Sequence, residues 1–407
     1  MTEVYYDPYD FEIDADPHPV WRRMRDEAPL YRNDRYGFWA LSRHQDVASG
    51  LTDWRTYSSA RGTVLELIRN DVQFPAGMMI FEDPPLHDAH RALMARLFTP
   101  RRIAQIEPRV RAYCARSLDP LVGGGRIDFI ADLGSQMPMR VIGMLLGIPE
   151  EDQEELRDAI DAGMSLEAGE STLRALQHEE GPADQTPRFA KYIEWRRRNP
   201  SDDLMTELLN ARFVDDHGDE RTLRDDELLG YIGLLAAAGN ETTTRLIGWT
   251  AYLLDRFPDQ RRLLAADRSL VPNAIEEILR YEAPSPVQAR YVTRDVELHG
   301  TRVPAGSTLL LLNGSANRDD REFEDADHLE VRRRDINHLS FGHGIHFCLG
   351  ASLARLEGRV ALEEILVRWA EWEIDHQGAE MARTSTVRGW KRLPARISHH
   401  VPRAGRL

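Results

Sequence analysis

Residues 341–350 read Phe341-Gly342-His343-Gly344-Ile345-His346-Phe347-Cys348-Leu349-Gly350, and this stretch decides what the rest of the chain must be built around. Its glycines let a backbone turn tightly or lie close against a flat ligand, because no Cβ intervenes. Beyond the cysteine, Leu349, Leu353, Leu356 and Val360 recur at helical spacing, so Cys348 stands at the start of an amphipathic helix. Unpaired backbone N–H groups and the helix dipole favour a thiolate there. The dipole contributes only about 0.3–1 kcal/mol, so a bound metal ion has to supply most of the ionisation. Two other readings stay open on these residues alone. One is a buried structural cysteine ahead of a core helix. The other is a zinc site of His343, His346 and Cys348, with unusual spacing and no second cysteine nearby.

The chain around this block is long, acidic and largely helical in pattern. Its 407 residues, 42% hydrophobic, suffice for a large core. With 52 Lys plus Arg against 67 Asp plus Glu, the net charge is -15, which argues against a nucleic-acid partner. Cys114 and Cys348 are the only cysteines, too few for a disulfide framework and fitting a reducing compartment; Cys114 has no role beyond helix packing. The acidic, proline-punctuated start lacks the basic and apolar regions of a leader. The most apolar stretch, residues 228–238, is interrupted by Gly230, Tyr231 and Gly233 and is too short to span a bilayer. The expectation is a soluble cytoplasmic monomer with no membrane partner.

Helical periodicity covers residues 19–27, 86–97, 103–118, 134–146 and 150–165. The longest helical pattern, 225–257, would extend about 45–50 Å. Another starts at Pro272 and stops before Ala283-Pro284. On it Glu277 and Arg280, three apart, share a face and can pair. Strand character appears at 37–41, 290–298 and 302–312. Residues 61–83 read as a long irregular loop, and 168–187 as a polar segment of the length that often forms a lid.

Within the longest helix lies Ala238-Gly239-Asn240-Glu241-Thr242-Thr243-Thr244. Glycine costs about 1 kcal/mol relative to alanine in a helix interior, and consecutive threonines are poor helix formers whose hydroxyls compete for carbonyls. Such local disagreement marks either a functional site or a kink in a core helix. An acid beside a hydroxyl, Glu241 next to Thr242, is a pair able to relay protons through water.

Four motifs, in order along residues 8–395, resemble those of the cytochrome P450 family. Phe341-x-x-Gly344-x-x-x-Cys348-x-Gly350 resembles its haem-binding signature, and Ala238, Gly239, Glu241 and Thr242 its oxygen-binding motif. Glu277-x-x-Arg280 resembles its core-locking pair, completed by a downstream arginine, and Asp83-Pro-Pro-Leu-His87-Asp-Ala-His90-Arg91 its propionate-binding segment. The resemblance implies a mostly α fold with a small β-rich portion, one domain over residues 1–407, and haem b between the long helix and the cysteine loop. It implies Cys348 as iron ligand, with a thiolate that promotes O–O cleavage. Phe341, Gly342, Gly350, Ala238 and Gly239 would lie against the macrocycle. His87 (with His90 as competitor), Arg91, Arg290 and His346 would meet the propionates. Glu241 and Thr242 would deliver protons to dioxygen.

The same resemblance implies an apolar pocket for a small apolar or amphipathic substrate. Its walls would come from Val64, Leu65, Ile68, Met78, Met79 and Ile80, and from Leu234, Leu235 and Ala238. Ser285, Val287 and Gln288 would add a third wall, and Thr386 and Val387 would close it. With no flavin or nicotinamide segment in the sequence, electrons from NAD(P)H would arrive through a separate ferredoxin and its reductase. Arg101, Arg102, Arg109, Arg111, Arg332, Arg333, Arg334 and Arg355 form the expected docking patch. The implied activity is monooxygenation; the other readings are a haem-thiolate peroxygenase or rearrangement enzyme, and a non-catalytic haem-binding sensor.

Overall fold

Helices supply most of the frame in the computed structural model, which describes residues 3–72, 74, 77–96, 98–164, 186–215, 218–382, 384 and 387–398. The long helix, Asp225–Arg256, has 32 residues. Its start is fixed by Glu227, whose carboxylate accepts the Arg224 N–H at 2.8 Å. It stops at Phe257 because Pro258 has no N–H for the ladder and instead opens the next helix, Pro258–Ala266. Residues 243–251 are buried on every side, as a helix inside a large protein must be. Helices Met137–Leu146, Val271–Tyr281 and Ala351–Arg368 pack directly against it.

The β portion is dominated by one five-stranded sheet. From edge to edge its strands are Leu30–Asn33, Phe38–Leu41, Thr308–Leu311, Gln288–Val292 and Tyr57–Ser58. Phe38–Leu41 pairs parallel with Thr308–Leu311, and the other pairings are antiparallel. Each of the two long strand patterns is cut in two. His299 and Gly300 adopt positive φ between Val296–Leu298 and Thr301–Val303, and Gly306 does so before Thr308–Leu311.

Two further expectations need correction. Residues 61–83 are not simply a loop: Leu65–Arg69 is a short helix with Leu65, Leu67 and Ile68 buried, and Met79–Phe81 is a single 3-10 turn. The expected helix from residue 134 is a π-helical turn, Phe129–Gly134, followed by Met137–Leu146. Of the expected lid, 168–185 lies outside the described residues, and Thr186–Arg198 is a helix. Among the described residues no helix is long and apolar enough to cross a membrane.

The helix Val271–Tyr281 carries a fully buried ion pair. Arg280 Nε and Nη2 donate to the two Glu277 carboxylate oxygens at 2.7 and 2.8 Å, and both side chains are 0% exposed. Arg333 Nε donates to the same carboxylate at 3.1 Å. Remaining Arg280 donors reach the carbonyls of Asn317 at 2.9 Å and Ala326 at 2.8 Å. Removing one partner leaves an uncompensated buried charge, which costs about 3–5 kcal/mol. Arg280→Ala is expected to lower stability by about that amount in urea unfolding, whereas a loss under about 1 kcal/mol would mean the network holds nothing together.

Candidate active site

Between the long helix and the 341–350 loop lies a cavity of about 1550 Å³, its mouth included. One wall is the long helix, contributing Leu234, Leu235, Ala238, Gly239, Thr242, Thr243 and Leu246. These fall on i, i+4 rows, so a single face of the helix supplies them. Opposite stand Phe341, Gly342, His346, Cys348 and Gly350.

The cysteine loop is shaped by its own backbone. Cys348 N–H donates to the Phe341 carbonyl at 2.8 Å, closing the turn. Gly342 and Gly344 both have φ of 69°, a region that favours glycine. At Gly344 a Cβ would sit 2.9 Å from the Leu51 carbonyl oxygen, so the loop leans on the neighbouring helix His44–Thr52 with no room for a side chain. Phe341 is covered by the Arg355 guanidinium, 4.6 Å from the ring centroid. Arg355 is itself held by Glu276 at 2.8 and 2.9 Å. Cys348 is open to a water-sized molecule yet enclosed by protein, because what it faces is the cavity. Burial pushes its thiol up; the Gly350 N–H and the charges of Arg91 and Arg355 pull the other way.

One side of the cavity gathers basic side chains. Arg290 is 3% exposed, and its one hydrogen bond is to the adjacent Ala289 carbonyl at 2.8 Å. Burial pushes its guanidinium down to about 10, against the pull of Asp83. Arg91 has no carboxylate within ion-pair distance among the described residues, and burial lowers it too. His87 and His346 meet edge to face, 4.5 Å between ring centroids, each with a buried Nε2 that has no hydrogen-bond partner. Burial, then the charges of Arg290, His87 and Arg91, push His346 down to about 3. His90 is engaged elsewhere, its Nδ1 2.7 Å from Glu82, so the cavity receives His87 and not its neighbour.

Unpaired buried donors beside an apolar cavity with a thiol in its floor fit a flat apolar macrocycle bearing two carboxylates and a thiolate-seeking iron. By contrast, the described residues contain no group of three or more His, Cys, Asp or Glu side chains placed to hold a metal ion, so His343, His346 and Cys348 are not gathered as a zinc site.

Known proteins agree with this constellation. The family model described as Cytochrome P450 matches residues 169–398. The chain is 39% identical to cytochrome P450 123 of Mycobacterium tuberculosis over 97% of both chains. It is 34% identical to cyclomarin C epoxidase CymV of Salinispora arenicola, covering 94% of this chain and 96% of that one. The structure of cytochrome P450 CYP109Q5 from Chondromyces apiculatus superimposes with a TM-score of 0.83 at 34% identity, covering 97% of this chain and 98% of that one. The chain belongs to the cytochrome P450 family. It is a haem-thiolate monooxygenase that uses O2.

In this P450, Glu241 and Thr242 are adjacent in sequence but part in space. Thr242 lines the cavity, its hydroxyl donating to the Ala238 carbonyl at 2.8 Å. Glu241, about 100° further round the helix, does not line it. Its carboxylate accepts from Arg245 Nη2 at 2.6 Å, and Arg245 also donates to the Trp390 carbonyl. Arg245 lies one turn beyond Glu241, a pair that sequence reasoning missed although the i, i+4 spacing could have signalled it.

The expected pocket residues divide between two places. Met79, Ile80, Leu234, Leu235, Ala238, Ser285 and Gln288 line this cavity. Val64, Leu65, Val287 and Val387 line a second one, and Ile68 is packed in the core against Tyr6, Trp21 and Leu310. Met78 lines neither, and Thr386 lies outside the described residues. Val287 and Gln288 are separated because consecutive residues on an extended strand face opposite ways. Walls that sequence reasoning missed include Thr63, Phe98, Asn313 and Glu357. Leu246 was accessible by continuing the 238, 242 row; the others come from distant elements. Glu357, 2% exposed, lines the cavity, and burial pushes its carboxyl well up.

Substituting Arg91→Gln and Arg290→Gln together is expected to reduce the haem-to-protein ratio of the purified protein severalfold. A haem content equal to that of the unmodified protein would show that these arginines hold no propionate.

Proposed function

We propose that this P450 inserts one oxygen atom from O2 into an apolar or amphipathic small organic molecule, with haem b as its prosthetic group and Cys348 as the iron ligand. The observation carrying this is a single cavity with the Cys348 thiol on one side and the Thr242 hydroxyl on the helix opposite. When bound, the haem supplies the activation of dioxygen. The chain does the rest. Arg91 and Arg290, which have no ion pair among the described residues, meet the haem carboxylates, with His87 and His346 beside them. Phe341, Gly342, Gly350, Ala238 and Gly239 give the ring close, featureless contact. Thr242 takes a proton from water and passes one on through its hydroxyl, which already holds the Ala238 carbonyl. Glu241, once it leaves Arg245, takes a proton from solvent water and hands it to that water. The apolar walls exclude bulk water and accept the substrate's hydrocarbon.

The relatives support an organic substrate with a sizeable apolar body: one is a cyclomarin C epoxidase, and one similar structure holds testosterone. Electrons come from NAD(P)H through a ferredoxin and its reductase, to a monomer in the cytoplasm, its residues 1–407 forming one domain. Of the arginines expected at the docking face, Arg102, Arg111, Arg333 and Arg355 are committed to Glu207, to Glu107, Glu363 and Glu364, to Glu277 and to Glu276. Arg101, Arg109, Arg332 and Arg334 are exposed, form no ion pair among the described residues, and remain for the partner.

The reduced, carbon monoxide-bound protein is expected to give the difference spectrum of thiolate-ligated haem, and Cys348→Ser to lose it; a spectrum of histidine-ligated haem overturns the assignment. Thr242→Ala is expected to keep NAD(P)H consumption while product falls by about tenfold or more, and unchanged coupling refutes the relay. Reduction by the ferredoxin is expected to slow as salt rises, and Arg109→Glu with Arg332→Glu to flatten that dependence; a rate insensitive to salt removes the arginine patch.

A further inference from the structure

On the other face of the strand Gln288–Val292 lies a second cavity, of about 720 Å³ with its mouth included. Val287 and Ala289 line it, whereas Gln288 and Arg290 line the first. Thr63 borders both, and its carbonyl accepts the Ala289 N–H at 2.8 Å. The strand therefore separates two compartments with opposite electrostatics.

The first compartment collects two guanidinium groups that have no ion pair among the described residues; the second collects aromatic rings and carboxylates. Tyr6, Tyr9 and Trp21 line it together with Asp7, Asp14 and Glu66. Its one positive side chain, Arg388, is spent: it donates to Glu282 at 2.6 Å and to the carbonyls of Asp14 and Ala15 at 2.7 and 2.8 Å. Asp7 is satisfied by the hydroxyls of Tyr5 and Tyr36 at 3.0 and 3.2 Å and by Arg35 at 3.4 Å. The Asp14 carboxylate accepts no hydrogen bond and forms no ion pair among the described residues; burial raises it, against the pull of the Arg388 charge. Trp21 is 3% exposed, and its indole N–H leans toward the Tyr6 phenol without reaching hydrogen-bond geometry. An uncompensated carboxylate wants a cation, ring faces attract organic cations best, and a buried indole N–H wants an acceptor.

We propose that this second cavity binds an organic ammonium group bearing a nearby oxygen, as in an amino alcohol. Asp14 meets the charge, the rings of Tyr6, Tyr9 and Trp21 enclose its alkyl groups, and the Trp21 N–H donates to the oxygen. The site stands apart from the haem compartment and does not depend on the oxygen chemistry assigned there.

Choline and its neutral carbon isostere, 3,3-dimethylbutan-1-ol, separate charge from shape. Calorimetric titration of the haem-loaded protein is expected to show choline binding about tenfold or more tighter than the alcohol. Asp14→Asn is expected to erase that advantage while leaving the alcohol unchanged. Tetramethylammonium, lacking the hydroxyl, is expected to bind more weakly than choline, and the haem absorbance to stay in place during each titration. Equal binding of choline and the alcohol, an Asp14→Asn protein with full choline affinity, or choline binding that shifts the haem band would each overturn the proposal. The comparison of the two ligands on the unmodified protein needs no variant to fold.

Discussion

The Glu277 carboxylate, fully buried between Arg280 and Arg333, is the contact on which the position of Cys348 depends. Arg280 fixes the Asn317 carbonyl, and the Asn317 side chain then takes the Leu339 N–H at 2.7 Å and donates to the Ser340 hydroxyl at 2.7 Å. Ser340 donates onward to the Leu279 carbonyl at 2.6 Å, on the same helix as Glu277. Residue 341, where the cysteine loop begins, is the next in the chain. A buried ion pair is a poor source of net stability, because desolvation offsets most of its attraction. Its effect here is to forbid alternatives: any shift of the loop exposes a charge to an interior that cannot solvate it.

The same electrostatic logic runs in reverse inside the haem cavity. Arg91 and Arg290 are brought together beside His87 and His346 with no carboxylate in ion-pair contact with either guanidinium among the described residues, at a cost in desolvation. A ligand carrying two carboxylates relieves that cost, so binding and folding are coupled for this part of the chain. Across one strand the balance inverts, with Asp14 outside ion-pair contact among aromatic rings, only the Arg388 charge pulling on it from further off. A single extended segment, Gln288–Val292, keeps the two environments apart because its side chains alternate.

Glu241 and Thr242 show how far adjacency in sequence falls short of adjacency in a site. Neighbouring helical residues diverge by about 100°, so the hydroxyl that faces the cavity turns the acid toward Arg245. The proton delivery proposed for Glu241 would require a side-chain excursion from the Arg245 pair, against the attraction of a cation that the Trp390 carbonyl also holds in place.

The sequence by itself determined what is local or periodic. Helix limits at Pro258, the glycines of the cysteine turn, the 238–242 row and the Glu277–Arg280 pair follow from backbone sterics and a 3.6-residue repeat, both properties of short segments. With the motif order, that sufficed for the family and its chemistry. Only the tertiary structure decided which neighbours share a compartment. Val287 and Gln288 part company, His87 and not His90 reaches the cavity, Arg333 serves the core and not a partner, and Glu357 enters the cavity floor. Each depends on where residues tens or hundreds of positions away come to lie, and burial by those distant elements is what turns an ordinary side chain into an unpaired charge or a filled wall.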